Sequence, residues 1–236
     1  MLLGFLILRA FYFILVTLKI KSIFEVQPIN RSEMISEEKI NLNYTRWIER
    51  LKHYNCYSER LIDDMGDKIK NASFALQESS GAAYQGSMID VVLNNLCVIA
   101  CHLNDRAFGV NKDKVLHPYL QVNQNSLIRV LLLQHIAKAE MFILQTNQWK
   151  SKQGYLFDFN PNMNTCLKCG ERTIFLCMKY GIELTEEEFE AIRIIDKEDS
   201  VANPYITPLC QLVKMANQLV SIELYRKHKE QNKENN

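Results

Sequence analysis

The chain has 236 residues, of which 47% are apolar and 23% charged, with 28 basic against 27 acidic side chains and a formal net charge of +1. That length supports one well-buried core, and the balanced charge excludes both the basic field of a nucleic-acid binder and an acidic tail. Seven cysteines at irregular spacing point to reduced thiols and a cytoplasmic setting rather than a disulfide framework.

Residues 1–33 read as an apolar N-terminal extension. Met1 to Leu18 is apolar except for Arg9 and Thr17, with Lys19 and Lys21 behind it. A membrane span needs about 20 apolar residues without a central charge. A signal peptide needs basic residues before its apolar run and small ones after it, and neither is present. Three readings stand: a membrane anchor whose flanks fit poorly, a packed segment, or an upstream start ahead of a natural first residue at Met34.

Gln27-Pro28-Ile29-Asn30-Arg31 reads as a linker, and the domain is expected over 34–226. Ser36-Glu37-Glu38 opens a helix with an N-cap and an acidic first turn, running to about His53 and burying Leu42, Trp47, Ile48 and Leu51. Ser58 caps the next helix, in which Leu61, Ile62, Met65, Ile69 and Ala72 recur at helical spacing up to Ser79-Ser80-Gly81. Met88 to Leu103 is apolar on most sides and predicts a central buried helix. A loop over Asn104 to Asn123 follows, then a buried helix from Ser126 to Met141. Ile143 to Trp149 and Tyr155 to Phe159 flank Lys150-Ser151-Lys152-Gln153-Gly154 and predict a hairpin with a five-residue turn. Trp149 would then face Tyr155, Phe157 and Phe159, with one face of the ribbon packed on the helices.

A helix from Glu171 to Tyr180 should end at Gly181. Thr185-Glu186-Glu187-Glu188 is a capping box that opens a helix to about Asp196, and a last helix runs from Pro208 past Glu223. Residues 227–236 read as a polar disordered tail. The expected class is all-α with one small β-hairpin.

Chemistry-bearing residues are sparse. Only five histidines occur, His53, His102, His117, His135 and His228, so a histidine-rich metal centre has little to draw on. Cys166-Leu167-Lys168-Cys169-Gly170 has the spacing of half a zinc knuckle, but no second CxxC pair completes it. Cys97 and Cys101 share a helix face beside His102, where buried thiols explain them as well. A cysteine nucleophile paired with His135 or His102 lacks a third, orienting group.

Six stretches nevertheless fall in a telling order. They are Ala82-Ala83-Tyr84-Gln85-Gly86-Ser87-Met88-Ile89-Asp90-Val91, Gln134-His135-Ile136-Ala137-Lys138, the hairpin ending at Gly154 to Pro161, Glu171-Arg172-Thr173, Ala191 to Asp196, and Leu212-Val213-Lys214-Met215-Ala216-Asn217. From Tyr54 to Glu223 this order resembles the HD-domain family of metal-dependent phosphohydrolases, and the hairpin resembles an insertion in bacteriophage-encoded members. The resemblance implies an HD-domain-like helical bundle with one small β-hairpin insertion. It puts Val91, Gln134, His135, Cys169, Ile195, Lys214 and Asn217 at former metal-ligand positions.

A two-metal phosphohydrolase needs clustered imidazoles and carboxylates, so that the metals can polarise phosphoryl oxygens and supply hydroxide. Val91 and Ile195 cannot ligate, Asn217 is uncharged, Gln134 is a weak ligand, and Lys214 would place a cation where a cation should bind. The resemblance therefore implies a pseudoenzyme with no metal or other cofactor. Its role would be binding, structure or assembly through a protein partner or self-association, in a host cytoplasm or a virion. A cationic set of Lys138, Arg172 and Lys214 could hold an anion or nucleotide in the residual pocket, or pair with Glu140, Glu171 and Asp196. The alternative is a divergent nucleotide phosphohydrolase built on His135, Asp90 and Asp196.

Overall fold

Helix α1 (Glu37–His53) begins where Ser36 Oγ accepts from the Lys39 backbone N–H, with Glu37 and Glu38 against its positive end. A computed structural model of the chain describes residues 35–107, 110–111, 114–115, 122–195 and 206–234. The apolar extension 1–33, His117 and Asp196 lie outside the described residues. The buried stripe of α1 is Ile40, Asn43, Trp47, Arg50 and Leu51. Leu42, expected inside, is 54% exposed, because two residues turn a helix about 200° and carry it off that stripe.

Helix α2 (Glu59–Asn71) is capped by Ser58 and buries Leu61, Met65 and Ile69. It stops at Asn71, eight residues before Ser79 of the expected Ser79-Ser80-Gly81 end, because Ala72 turns extended and the following backbone pairs with the hairpin. The Leu76 carbonyl accepts from Leu156 N at 2.9 Å, and Glu78 N donates to Gly154 O at 2.8 Å. Glu78–Ser80 then forms a 3-10 turn ending at Gly81, whose φ is 69°. A side chain at Gly81 would meet the Leu224 carbonyl oxygen at 2.5 Å, so this glycine permits close contact with the last helix.

The central rod comprises α3 (Ser87–Val91), a π-helical turn (Val92–Leu96) and α4 (Cys97–Ala107). Val91, Leu96, Cys97 and Ala100 are fully buried in it. Its span Ser87–Asp105 is the one described helix long and apolar enough to cross a membrane by composition, with 61% of the scored window buried inside the protein. After it, β1 (Val110–Asn111) and β2 (Lys114–Val115) pair antiparallel within the stretch expected to be loop.

Helix α5 (Gln124–Leu133), capped by Asn123, buries Leu127, Ile128 and Val130 to Leu133. The helix expected to continue to Met141 breaks here. Residues 134–137 are turns, and a separate short α6 (Lys138–Met141) follows. The hairpin is present but narrower than expected: β3 (Phe142–Leu144) pairs antiparallel with β4 (Phe157–Phe159), in register Phe142 to Phe159 and Leu144 to Phe157. Its connection contains a short helix, α7 (Gln148–Lys152), capped by Asn147, in place of a five-residue turn. Trp149 consequently sits on α7, 66% exposed, and Phe142 is the residue that meets Phe159 edge-on at 5.6 Å.

Helix α8 (Cys169–Lys179) ends before Gly181, whose φ is 70°. Helix α9 (Glu186–Arg193) opens with a reciprocal box in which Thr185 N donates to Glu188 Oε2 and Glu188 N donates to Thr185 Oγ1. Helix α10 (Pro208–Glu234) carries on through the stretch expected to be a disordered tail. Leu224 is buried against the rest of the protein, and the pairs Glu223–Lys227 and His228–Asn232, each one turn apart, support the extra turns. The described protein is mostly helical with two small antiparallel hairpins.

Arg129 locks three of these elements together. Its Nε donates to Glu188 Oε1 at 2.9 Å, Nη1 donates to the carbonyls of Tyr54 and Asn55, and Nη2 donates to Glu183 O. Glu188 is 1% exposed, so removing its cation leaves a buried charge. Arg129→Met should cost about 3 kcal/mol, read as a lower urea midpoint at unchanged slope. The double variant with Glu188→Gln should recover part of that loss, and a midpoint unaffected by Arg129→Met would refute the lock.

Candidate functional site

The break after Leu133 creates the site. Ile136 N bonds to Leu133 O and Lys138 N to His135 O, three residues back in each case, which frees earlier carbonyls from their usual acceptor role. Trp47 Nε1 donates to Leu132 O at 3.1 Å. Thr173 Oγ1 donates to Gln134 O at 3.1 Å, and Cys169 Sγ lies 3.9 Å from the same oxygen. Cys169 and Thr173 are one turn apart on α8, so the two reach one point together. Gly170 lets them do so: a side chain there would stand 2.3 Å from the Ile192 carbonyl oxygen.

Beside that knot, the side chains of Gln134 and His135 meet α10. Asn217 Nδ2 donates to Gln134 Oε1 at 3.0 Å and to Val213 O at 2.8 Å. Two acceptors on one nitrogen fix the orientation of the Asn217 amide, so its Oδ1 must accept. His135 Nε2, 3.1 Å away, therefore carries the proton, and Nδ1 holds the lone pair. Nδ1 is buried without a hydrogen-bond partner, as is Gln134 Nε2. Phe74 packs edge-on against the imidazole at 4.9 Å between ring centres.

Four of the seven expected positions, Gln134, His135, Cys169 and Asn217, thus come together. The others add no ligand: Val91 is fully buried hydrocarbon where α3 meets the π turn, and Ile195 is half-buried past α9. Lys214 is half-buried on α10, three residues before Asn217. Among the described residues no group of three or more histidine, cysteine, aspartate or glutamate side chains could hold a metal ion. One imidazole lone pair, one buried thiol turned toward a backbone carbonyl and two neutral amides do not meet a divalent ion's need for several charged ligands.

Asp90 is engaged elsewhere. Its Oδ1 accepts from Asn43 and Asn94, at 3.0 and 2.7 Å, and its Oδ2 from Tyr84 at 2.6 Å. A carboxylate so bonded is a structural anchor. Cys166 is exposed while Cys169 is buried, and the described cysteines are free thiols. Burial pushes Cys97 up to about 11 and Cys101 up to about 12, so neither is a thiolate nucleophile at neutral pH.

The three expected cations have separate engagements. Lys138 Nζ donates to Phe74 O at 2.7 Å and lies 3.7 Å from the centre of the Phe74 ring, a cation–π contact beside His135. Arg172, 8% exposed, donates through Nη1 to Glu140 at 3.4 Å and through Nη2 to Thr165 Oγ1. It forms one wall of a pocket of about 540 Å³. Lys68, Glu140, Thr165, Phe142 and Phe157 also line it, but Lys138 and Lys214 do not. Thr173, met in the sequence only as part of a motif stretch, and Phe74 also belong to the site. Thr173 had a signal, its one-turn spacing from Cys169, whereas Phe74 had none.

No known protein family, characterised protein or solved structure matches the chain.

Burial, and secondly the nearby Lys138 cation, hold the His135 pKa well below its ordinary value, against the opposing bond to Asn217. Below about pH 6.5 the unfolded chain takes up a proton that the folded chain refuses, so stability present above that pH falls with acidification. Between pH 7.5 and 5.5 the protein should lose about 1 kcal/mol more than His135→Gln. Thermal melts of both proteins across that range test the origin of the loss; parallel curves would remove His135 from it.

Proposed function

We propose that the chain is a catalytically inactive HD-like helical domain whose role is binding or assembly. One observation carries the reading. Gln134, His135, Cys169 and Asn217, which the family resemblance assigns to former metal-ligand positions, gather where the turn after α5 meets α8 and α10 and bond to one another. The Gln134 oxygen and the Asn217 amide are already engaged within the network, and the unpartnered His135 Nδ1 offers one lone pair, so a metal gains few ligands by entering it. The uncharged side chains also avoid the desolvation that bare carboxylates would suffer there.

Binding is supported by what remains open to solvent. Leu219, Ile222 and Tyr225 recur at three-residue intervals on α10 and are 42%, 49% and 52% exposed, an apolar row suited to a protein partner or a second copy. If the hairpin's resemblance to the insertion of bacteriophage-encoded proteins holds, the domain would work in the host cytoplasm or within a virion. The competing phosphohydrolase draws no support from Asp90, whose carboxylate is saturated by three donors.

Purified protein incubated with manganese, iron or nickel and then desalted should retain no metal near one equivalent by elemental analysis. It should also hydrolyse phosphate monoesters no faster than buffer. Stoichiometric metal, lost together with hydrolysis in His135→Ala, would overturn the proposal.

A further inference from the structure

The pocket beside the closed cluster has a composition of its own. Its lining carries the Arg172 guanidinium and the Lys68 ammonium together with the opposite charge of Glu140, while the hairpin contributes the apolar Phe142 and Phe157. Its volume of about 540 Å³ lies within the range of small-molecule sites.

Arg172 is unusual for a buried cation. Its contact with a carboxylate is a 3.4 Å approach to Glu140, well beyond the usual charge-assisted length of about 2.8 Å. Its Nε–H has no acceptor. A guanidinium offers five N–H donors in a planar fork suited to a two-oxygen anion, so the present partner uses it poorly. Glu140 can leave at little structural cost, since its side chain is 25% exposed, and its backbone is held independently by Asn160.

We propose that this pocket binds a small carboxylate carried on a flat apolar body, and that Glu140 is the internal counter-ion the ligand displaces from Arg172. Glu140 released from Arg172 still belongs to the pocket wall, so Arg172, Lys68 and Glu140 together keep one positive charge, which a monoanion neutralises and a dianionic phosphate over-fills. The ligand carboxylate repeats the group that Arg172 already faces, while Phe142 and Phe157 supply apolar surface for the ring. The site stands on Arg172 and the hairpin alone, so it does not require the family resemblance or an inactive centre.

The test is calorimetric titration of the full chain with 2-naphthoate, 2-naphthyl phosphate and uncharged 2-naphthol. Wild type should bind 2-naphthoate more tightly than the other two. Arg172→Met should weaken 2-naphthoate at least tenfold, Lys68→Gln a few-fold, and Glu140→Gln should tighten it several-fold by removing the competitor. Far-UV circular dichroism reports folding, and the exposed Lys68 variant keeps the test decisive if Arg172→Met does not fold. Equal binding of the phosphate, unchanged affinity in Lys68→Gln, or no tightening in Glu140→Gln would overturn the assignment, as would an absence of 2-naphthoate binding in both wild type and Glu140→Gln. None of these results depends on metal retention, so this site and the inactive centre can fail separately.

Discussion

A helix that ends inside a protein must find partners for its last carbonyls, and α5 ends in the core. Leu132 and Gln134 are fully or almost fully buried, and an unsatisfied carbonyl at such a place costs about 1–3 kcal/mol. Trp47 from α1 and Thr173 from α8 supply the missing donors. Both bonds can form only if α1 and α8 lie against the same helix end, so satisfying two oxygens sets the relative positions of three helices. Everything at the candidate site follows from that arrangement. The break puts Gln134 and His135 on turns instead of a regular helix, turned toward Asn217 on α10.

Buried charge obeys the same requirement by different means. Glu188 and Asp90 are both 1% exposed or less. Glu188 meets a full counter-ion in Arg129 and closes a capping box through its other oxygen. Asp90 takes two amide donors and a phenol. Each therefore works as a clamp between sequence-distant segments. Arg172 differs, since Thr165 holds one end of its guanidinium tightly while Glu140 meets the other at longer range. Where two buried anions are fully satisfied, an under-used buried cation beside a cavity stands out as a place for a ligand.

Features that depend on neighbours in the chain were legible from sequence. Ser36, Ser58 and Thr185 cap the helices they precede, and Gly181 ends α8, because each of these contacts closes within four residues. The apolar run from Met88 becomes the buried rod for a similar reason: hydrophobicity on most sides leaves it nowhere else to go. The break at Gln134 carries no glycine or proline, since its cause lies in Trp47 and Thr173, about 85 and 39 residues away. The early stop of α2 likewise depends on the distant hairpin. At the site, Gln134, His135, Cys169 and Asn217 could be named from motif order, yet nothing local to those residues disclosed that they bond to one another. Glu140 was visible only as a partner for nearby cations, not as part of a cavity wall.

The amide cluster is also interlocked, which bears on how such a centre would persist. Asn217 gives both hydrogens of one nitrogen to Gln134 and Val213 and accepts from His135 on its oxygen. An aspartate at 217 could still accept from His135, but it would set an oxygen against the Gln134 and Val213 oxygens with no proton between them. A histidine at 134 would replace the Gln134 oxygen with a single ring lone pair that cannot serve both Asn217 and a metal. Each single step toward a charged, ligand-rich centre thus adds a polar conflict to the two atoms, His135 Nδ1 and Gln134 Nε2, that already lack partners, at the cost that attaches to such atoms. Only coordinated replacement, with a metal to unite the new donors, would escape it. Packing therefore favours keeping the neutral network intact.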